Sequence, residues 1–490
     1  MAKSVDVSSR RLVTAGAVGL LGAAVTALFG WGRAKGLAIA LGPAGVGGYG
    51  QLWAFVLYAG SFGALGIGVG TTALIATARE RSERASLADI YGMSLLIPAL
   101  AAGALAVIVA ATAEFSSGLI LSRSEPWLVV LAAVSIPFVA LQLPLQHVIQ
   151  GFEDVKGQTV IYVTYGAVFT IAAVVGAYTY GLTGAAIGLA VGNVALAGLY
   201  LARSAHLMAG VGVTFFGSLN RGWAVPLLRV GAASLCVTVI YGLADLAVRT
   251  TLLHTHGARV AGFWFAISTL SVQLIGTVSG AISYFTAPLA ARAGARSDPI
   301  AVRALLDDSV RLTLLTLVPV LGTLLALRSW AIPLLFSAQF APMSHAMPLE
   351  AAGDFLRGIG WALGVTLIPL AMTRWWFVVG VATSLAFAGA GAIFAAHWGL
   401  NGAAGAWCVT WAVALSITAG VLVARGLLHP SPQTAAVLIL GVAALVLAAA
   451  FPGVPGAVAV ALVVVGLLRF GVRATERAAL IRELRRWSAV

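Results

Sequence analysis

The chain has 490 residues, 60% of them hydrophobic and 9% charged, with a formal net charge of +13. Its mean hydropathy of +1.00 excludes a soluble domain, whose apolar share is roughly 45–50% and charged share roughly 25%, and places it in a bilayer. Two cysteines inside apolar stretches, Cys236 and Cys408, exclude a disulfide framework and a thiolate metal cluster, and cations spread between hydrophobic stretches exclude a nucleic-acid partner.

Stretches of about 20 apolar residues predict about fourteen membrane-spanning helices. The first runs from Leu12 towards Ala40. Ser9-Arg10-Arg11-Leu12 ahead of it is similar to a twin-arginine export signal, but many more spans follow, and it reads as a basic flank that orients the helix. Gly42-Pro43 then stops the helix, and Gly45, Gly47 and Gly48 let the backbone reverse into a second span, expected from about Gly50 to Ala76. Beyond the charged run Arg79 to Arg84, spans three to six are expected at roughly 90–113, 127–150, 159–179 and 182–202. A second set follows at roughly 225–253, 260–285, 310–336, 349–372, 375–396 and 400–424, and a further pair at about 433–451 and 454–470. Arginines spaced along the last residues predict a basic amphipathic tail.

Two echoes divide this series. Val46-Gly47-Gly48-Tyr49 aligns with Val260-Ala261-Gly262-Phe263, 214 positions later, and in that register Lys35 falls on Arg249. Gly181-Leu182-Thr183-Gly184-Ala185-Ala186 recurs 218 positions later as Gly399-Leu400-Asn401-Gly402-Ala403-Ala404, and each copy runs through an apolar span to Ala-Arg, at Arg203 and Arg425. A nearly constant period indicates duplication. The chain therefore divides into an N-lobe (1–215), a C-lobe (216–428), a helix pair (429–472) and a tail (473–490). The expected fold class is an all-α polytopic membrane protein, with two pseudo-symmetric six-helix lobes around a central cavity plus two C-terminal helices. Lys and Arg crowd into alternate loops, which puts both termini in the cytoplasm.

No loop pairs a nucleophile with a base or carries a His/Cys/Asp metal pattern, so no enzyme, metal or cofactor is expected. His254 and His256 flank a turn without a third ligand. Ionisable groups inside spans are functional candidates, since each costs several kcal/mol unless it faces protein or water. Arg33 and Lys35 lie in the outer third of the first span. Asp245 and Arg249 are one turn apart in the seventh, spaced for an ion pair, and Asp245 reads as the only acid deep in a span. Glu350, Asp354 and Arg357 share a face at the start of the tenth. Asp245 and Asp354 are the candidate ion-coupling residues. Snorkelling to the surface, or a purely structural pair, is the alternative for these charges.

Cations in a low-dielectric cavity suit a phosphate or diphosphate, and Lys35 and Arg249, at repeat-equivalent positions, are placed to close on one from both sides. Amides suit a sugar: Gln51 near the first joint, and Gln142 and Gln146, which share a helical face with Gln150. For the latter glutamines an interhelical hydrogen-bond seam is the alternative.

The run Lys35 to Gln51 resembles the lipid-linked oligosaccharide flippases, the O-antigen and enterobacterial-common-antigen translocases of the multidrug/oligosaccharidyl-lipid/polysaccharide exporter superfamily. Val248-Arg249 through Gly262-Phe263-Trp264 to Tyr284-Phe285-Thr286-Ala287-Pro288 is similar to the family's second-half signature, and Gly399 to Ala404 to its small-residue joint. The resemblance implies a bundle that alternates its opening and carries a polyprenyl-diphosphate-linked glycan across the bacterial inner membrane, in lipopolysaccharide assembly, at the expense of an ion gradient. Lys35 and Arg249 match the family's cationic cavity residues; membrane lipids, a polysaccharide polymerase and assembly enzymes are the implied partners. The pair after Arg425 departs from the twelve-helix pattern and resembles fourteen-helix members. A drug/cation antiporter of the same superfamily, which would favour buried carboxylates, and a non-transporting scaffold for glycan assembly are the competing readings.

Overall fold

A computed structural model describes the backbone of residues 2–213 and 221–473. In chain order its helices are α1 (Ala2–Gly63), α2 (Ile67–Glu80), α3 (Arg84–Ala111), α4 (Ala113–Leu121), α5 (Pro126–Gly151), α6 (Val155–Gly210), α7 (Ala224–Ala295), α8 (Pro299–Ala326), α9 (Arg328–Leu335), α10 (Met347–Gly364), α11 (Thr373–Ala424), α12 (Pro432–Ala450) and α13 (Val454–Gly471). Eight of the described helices are long and apolar enough to cross a membrane, and the all-α, multi-pass fold class is as expected. Beyond Arg473, the amphipathic tail lies outside the described residues.

Four of these helices are each two arms joined at one glycine. The breaks are Gly42 (φ 62°, ψ −179°) in α1, Gly181 (φ 59°, ψ −138°) in α6, Gly257 (φ 85°, ψ 168°) in α7 and Gly399 (φ 57°, ψ −129°) in α11. A side chain strongly disfavours such backbone angles. With the arms taken separately, the described chain contains fourteen helical segments of crossing length.

The four breaks carry the duplication. Gly42 and Gly257 stand 215 positions apart, Gly181 and Gly399 218. At the first pair the halves touch reciprocally: a Cβ on Gly47 would collide with the Ala258 carbonyl oxygen, and one on Gly262 with the Pro43 carbonyl oxygen. Pro43 and Ala258, like Gly47 and Gly262, are 215 apart, so the contact is its own image under a pseudo-two-fold axis. This sets the register at 215, against 214 from the sequence echo, and brings Arg249 level with Ala34, between Arg33 and Lys35.

Several boundaries differ from the hydropathy reading. The second arm of α1 starts at Pro43, not Gly50, because one glycine makes the whole reversal. α8 starts at Pro299, not near residue 310: Asp298 accepts from the amides of Ile300 and Ala301, each at 3.0 Å, and caps a helix whose charged first turns mask it in a hydropathy average. α10 ends at Gly364, short of 372, where irregular turns run to Ala371.

By compactness the chain forms two units. The first comprises Met1–Ala266, Leu335–Gln339 and Gly391–Leu400, the second Ile267–Leu334, Phe340–Ala390 and Asn401–Val490. In the first, Ile75, Leu87, Ile90, Leu145, Val148 and Ile149 form a buried core among α2, α3 and α5. An alanine-lined cluster, including Ala59, Ala102, Ala133 and Ala140, lets α1, α3 and α5 approach closely.

In the second unit α8 is fastened in two places to α12 and α13. Towards its middle, fully buried Arg311 donates to the Gly471 carbonyl and to Asp308, Arg473 pairs with Asp307 and Asp308, and the Ser431 amide donates to Asp307. Past its end, Arg328 donates to the carbonyls of Leu325, Ala448 and Ala449, and the Gly453 amide donates to Ala326.

Candidate functional site

Two buried polar constellations stand out, one in each unit. In the first, Asp245 and Arg249 lie two to three turns before the Gly257 break, at 4% and 8% exposure. The Arg249 Nε donates to Asp245 Oδ2 at 2.6 Å, and the Tyr58 hydroxyl, from the second arm of α1, donates to the same oxygen at 3.1 Å. The Arg249 guanidinium lies 5.9 Å from the centre of the Phe265 ring, which Tyr49 and Trp53 meet edge-on at 6.0 Å each. Arg33, half-buried, stands 4.0 Å over the Phe169 ring, which stacks on Tyr165. Such faces attract cations without neutralising them. Lys35 is half-buried two turns before Gly42. Gln51 is 2% exposed, and neither amide atom is hydrogen-bonded among the described residues.

Gln142 and Gln146 serve the interhelical seam. The Gln142 amide donates to the Asn193 carbonyl at 3.0 Å and to its side-chain oxygen at 3.3 Å, and that of Gln146 to the Tyr162 hydroxyl at 3.0 Å. Both link α5 to α6 and remain half-buried.

The second constellation adds two buried acids, Glu350 and Asp354, in the first two turns of α10. Glu350 and Asp354 are 5% and 3% exposed, because α10 begins at Met347 and turns its polar face inward. Asp354 Oδ1 accepts from the Ser271 hydroxyl at 2.6 Å and from the Trp407 indole at 3.1 Å. Arg357 donates to Ser271 at 3.3 Å, lies 4.0 Å from Asp354 and is enclosed by the indoles of Trp361, Trp407 and Trp411 at 5.2–5.4 Å. A small cleft with leucine-rich walls opens onto Ser271, Glu350 and Asp354, and Glu350 Oε2 has no hydrogen-bond partner among the described residues.

Of the predicted residues, the structure thus brings together Asp245 with Arg249, and Asp354 with Arg357. It adds Tyr58, Phe265, Ser271, Trp407 and Trp411, which no local pattern marks: Tyr58 is 187 positions from Asp245, and only the helix crossing joins them. His254 and His256 each bond a backbone carbonyl, of Leu119 at 2.9 Å and of Ala396 at 3.1 Å.

No family model matches the chain. It is 25% identical over 402 residues to the lipid III flippase of Escherichia coli (strain K12), an alignment covering 79% of this chain and 92% of that one. Among solved structures it resembles the lipid II flippase MurJ in an inward closed conformation, with a TM-score of 0.71 at 13% identity over 96% of this chain and 99% of that one. It also resembles an inward-facing multidrug resistance MATE transporter of the MOP superfamily, with a TM-score of 0.68 at 15% identity over 85% and 96%. The chain has the fold of the multidrug/oligosaccharidyl-lipid/polysaccharide exporter superfamily.

Proposed function

We propose that this protein is a flippase moving a polyprenyl-diphosphate-linked oligosaccharide across the bacterial inner membrane by alternating access, coupled to an ion gradient. The observation that carries this reading is Arg249, a guanidinium buried on an apolar helix at 8% exposure. An intramembrane arginine is costly and marks a functional path by default. Its place in the repeat, level with the Arg33 to Lys35 stretch, supports cations from both halves gripping a diphosphate through charge-assisted hydrogen bonds. The alignment with the lipid III flippase spans most of both chains and supports a lipid-linked glycan as cargo. Unsatisfied Gln51 supports a lining that hydrogen-bonds sugar hydroxyls.

On this reading residues 1–215 and 216–428 are the lobes that rock, 429–472 is an appended pair, both termini face the cytoplasm, and Asp245 and Asp354 are the ion-coupling candidates. Membrane lipids surround the protein, a polysaccharide polymerase and assembly enzymes work beside it, and it performs no catalysis and needs no cofactor. The test is flipping of a fluorescent short-chain prenyl-diphosphate glycan in vesicles reconstituted with the purified protein. Lys35→Ala and Arg249→Ala are expected to abolish transport while inserting normally; unchanged flipping in both overturns the reading.

Glu350, Asp354 and their cleft favour a second reading, antiport of lipophilic cations, because apolar walls above buried carboxylates suit such a cargo. The same vesicles loaded with a quaternary ammonium dye separate the two: cation efflux that is lost in Asp354→Asn, with no glycan-lipid flipping, selects the antiporter.

A further inference from the structure

We propose that Asp245 is an internal stand-in for the cargo's diphosphate: it holds Arg249 while no cargo is bound and gives way when a diphosphate enters. This rests on the flippase reading and adds to it how the site is kept poised and what it rejects.

An unpaired guanidinium at 8% exposure would be strongly destabilising, since the loss of one partner from a buried ion pair leaves an uncompensated charge. A cargo site built around such a cation therefore needs an anion of its own between transport cycles. Asp245 supplies it from the same helix face, one turn away. It engages Nε at 2.6 Å, and that nitrogen belongs to one of the edges through which arginine makes two-pronged contacts to carboxylate and phosphate alike. Cargo and Asp245 compete for one donor.

Tyr58 makes the exchange reversible. Its hydroxyl donates to the oxygen that Arg249 holds, so a carboxylate released by Arg249 keeps one hydrogen bond instead of being stranded. Tyr241 lies edge-on to Tyr58 at 6.4 Å, and the Phe265 face lies under Arg249. Neither brings a second anion. The pair also selects cargo. A ligand displaces Asp245 to the extent that it offers more negative charge than one carboxylate: a diphosphate does so by the widest margin, a phosphate monoester, at about −1.5 to −2, by a narrower one, and a neutral lipid not at all. The built-in competitor is thus a repulsive element against the wrong cargo.

The experiment uses the full-length protein in detergent, with farnesyl diphosphate and farnesyl monophosphate as probes and tryptophan fluorescence as the readout. Asp245→Asn is expected to bind the diphosphate about tenfold tighter than wild type, a gain of one hydrogen-bonded charge contact, and to lose much of the discrimination against the monophosphate. Tyr58→Phe, which touches no cargo, is expected to bind the diphosphate a few-fold more weakly, because the displaced carboxylate then lacks its donor. Unchanged or weaker diphosphate binding in a folded Asp245→Asn protein overturns the stand-in role. If that variant does not fold, Tyr58→Phe decides: weaker binding supports the proposal and wild-type affinity overturns it. Arg249→Ala separates this from the parent reading. Wild-type binding there removes Arg249 from the cargo site altogether, whereas lost binding there, with wild-type affinity in the other two variants, removes only the stand-in.

Discussion

Gly47 and Gly262 occupy equivalent places on two crossing helix arms, each pressed on a carbonyl oxygen of the other arm, Ala258 for Gly47 and Pro43 for Gly262. No side chain separates the two backbones. A methyl group on either glycine must push the arms apart, and overpacking of this kind costs about 1–3 kcal/mol. Gly262→Ala is therefore expected to lower the thermal midpoint of the detergent-solubilised protein by several degrees. Gly276→Ala, on the same helix with open space around it, is the comparison. Equal midpoints for the two variants would show that the crossing is looser than described.

The break glycines act through the backbone alone. Nothing lies within 4 Å of where a Cβ on Gly257 would sit, yet its φ is 85° and its ψ 168°. Forcing an L-residue into that region costs about 1–3 kcal/mol. Gly257→Ala should destabilise by that amount although it creates no clash. Gly103→Ala, in helical α3 and equally open, should stabilise by about 0.5–1 kcal/mol. Denaturant titration of the pair checks the opposite signs.

Much of this fold was legible because a bilayer leaves few choices: apolar stretches, basic alternate loops and Gly-Pro joints predict crossing helices and a duplicated chain. The start of α8 was not, since Asp307, Asp308 and Arg311 depress local hydropathy, and only their partners on α12 and α13 show why the charges are tolerated. Arg249 with Asp245 followed from helical spacing, whereas Tyr58 and Ser271 bond to their acids from distant helices and leave no local periodicity. The register slipped by one residue because an echo of small residues aligns equally well on neighbouring glycines, and only the reciprocal contact distinguishes them.

Asp154 gives a pH dependence whose sign is fixed by its surroundings. It lies in the turn between α5 and α6, where partial burial raises its proton affinity, but the bond from Arg203 at 2.6 Å and the Gly157 amide outweigh this and hold its carboxyl below the ordinary range. As pH falls, the unfolded chain takes up this proton before the folded one does. The contribution is thus complete above the ordinary aspartate value and is lost as pH drops through the lower, folded one. Asp154→Asn keeps an equivalent helix cap and removes the charge. Wild type should have the higher thermal midpoint at pH 7, with the gap closing below about pH 4; a gap that is constant with pH would sink the assignment.

The fastening of α8 to the last two helices predicts where stability is lost when it is cut. Arg311→Met keeps most of the volume but leaves the Gly471 carbonyl without its donor, while Asp308 retains Arg473 at 2.8 Å. The cost is that of one unsatisfied buried acceptor, about 1–3 kcal/mol, and should appear as faster amide exchange in 454–471. Arg328→Met, past the end of α8, frees the carbonyls of Ala448 and Ala449 and should speed exchange at the end of α12. The two arginines are 17 positions apart, roughly 25 Å along a helix, and share no partner. Their effects should therefore add within about 0.5 kcal/mol. A double variant much less stable than the sum would show instead that α12 and α13 detach from α8 as one cooperative piece.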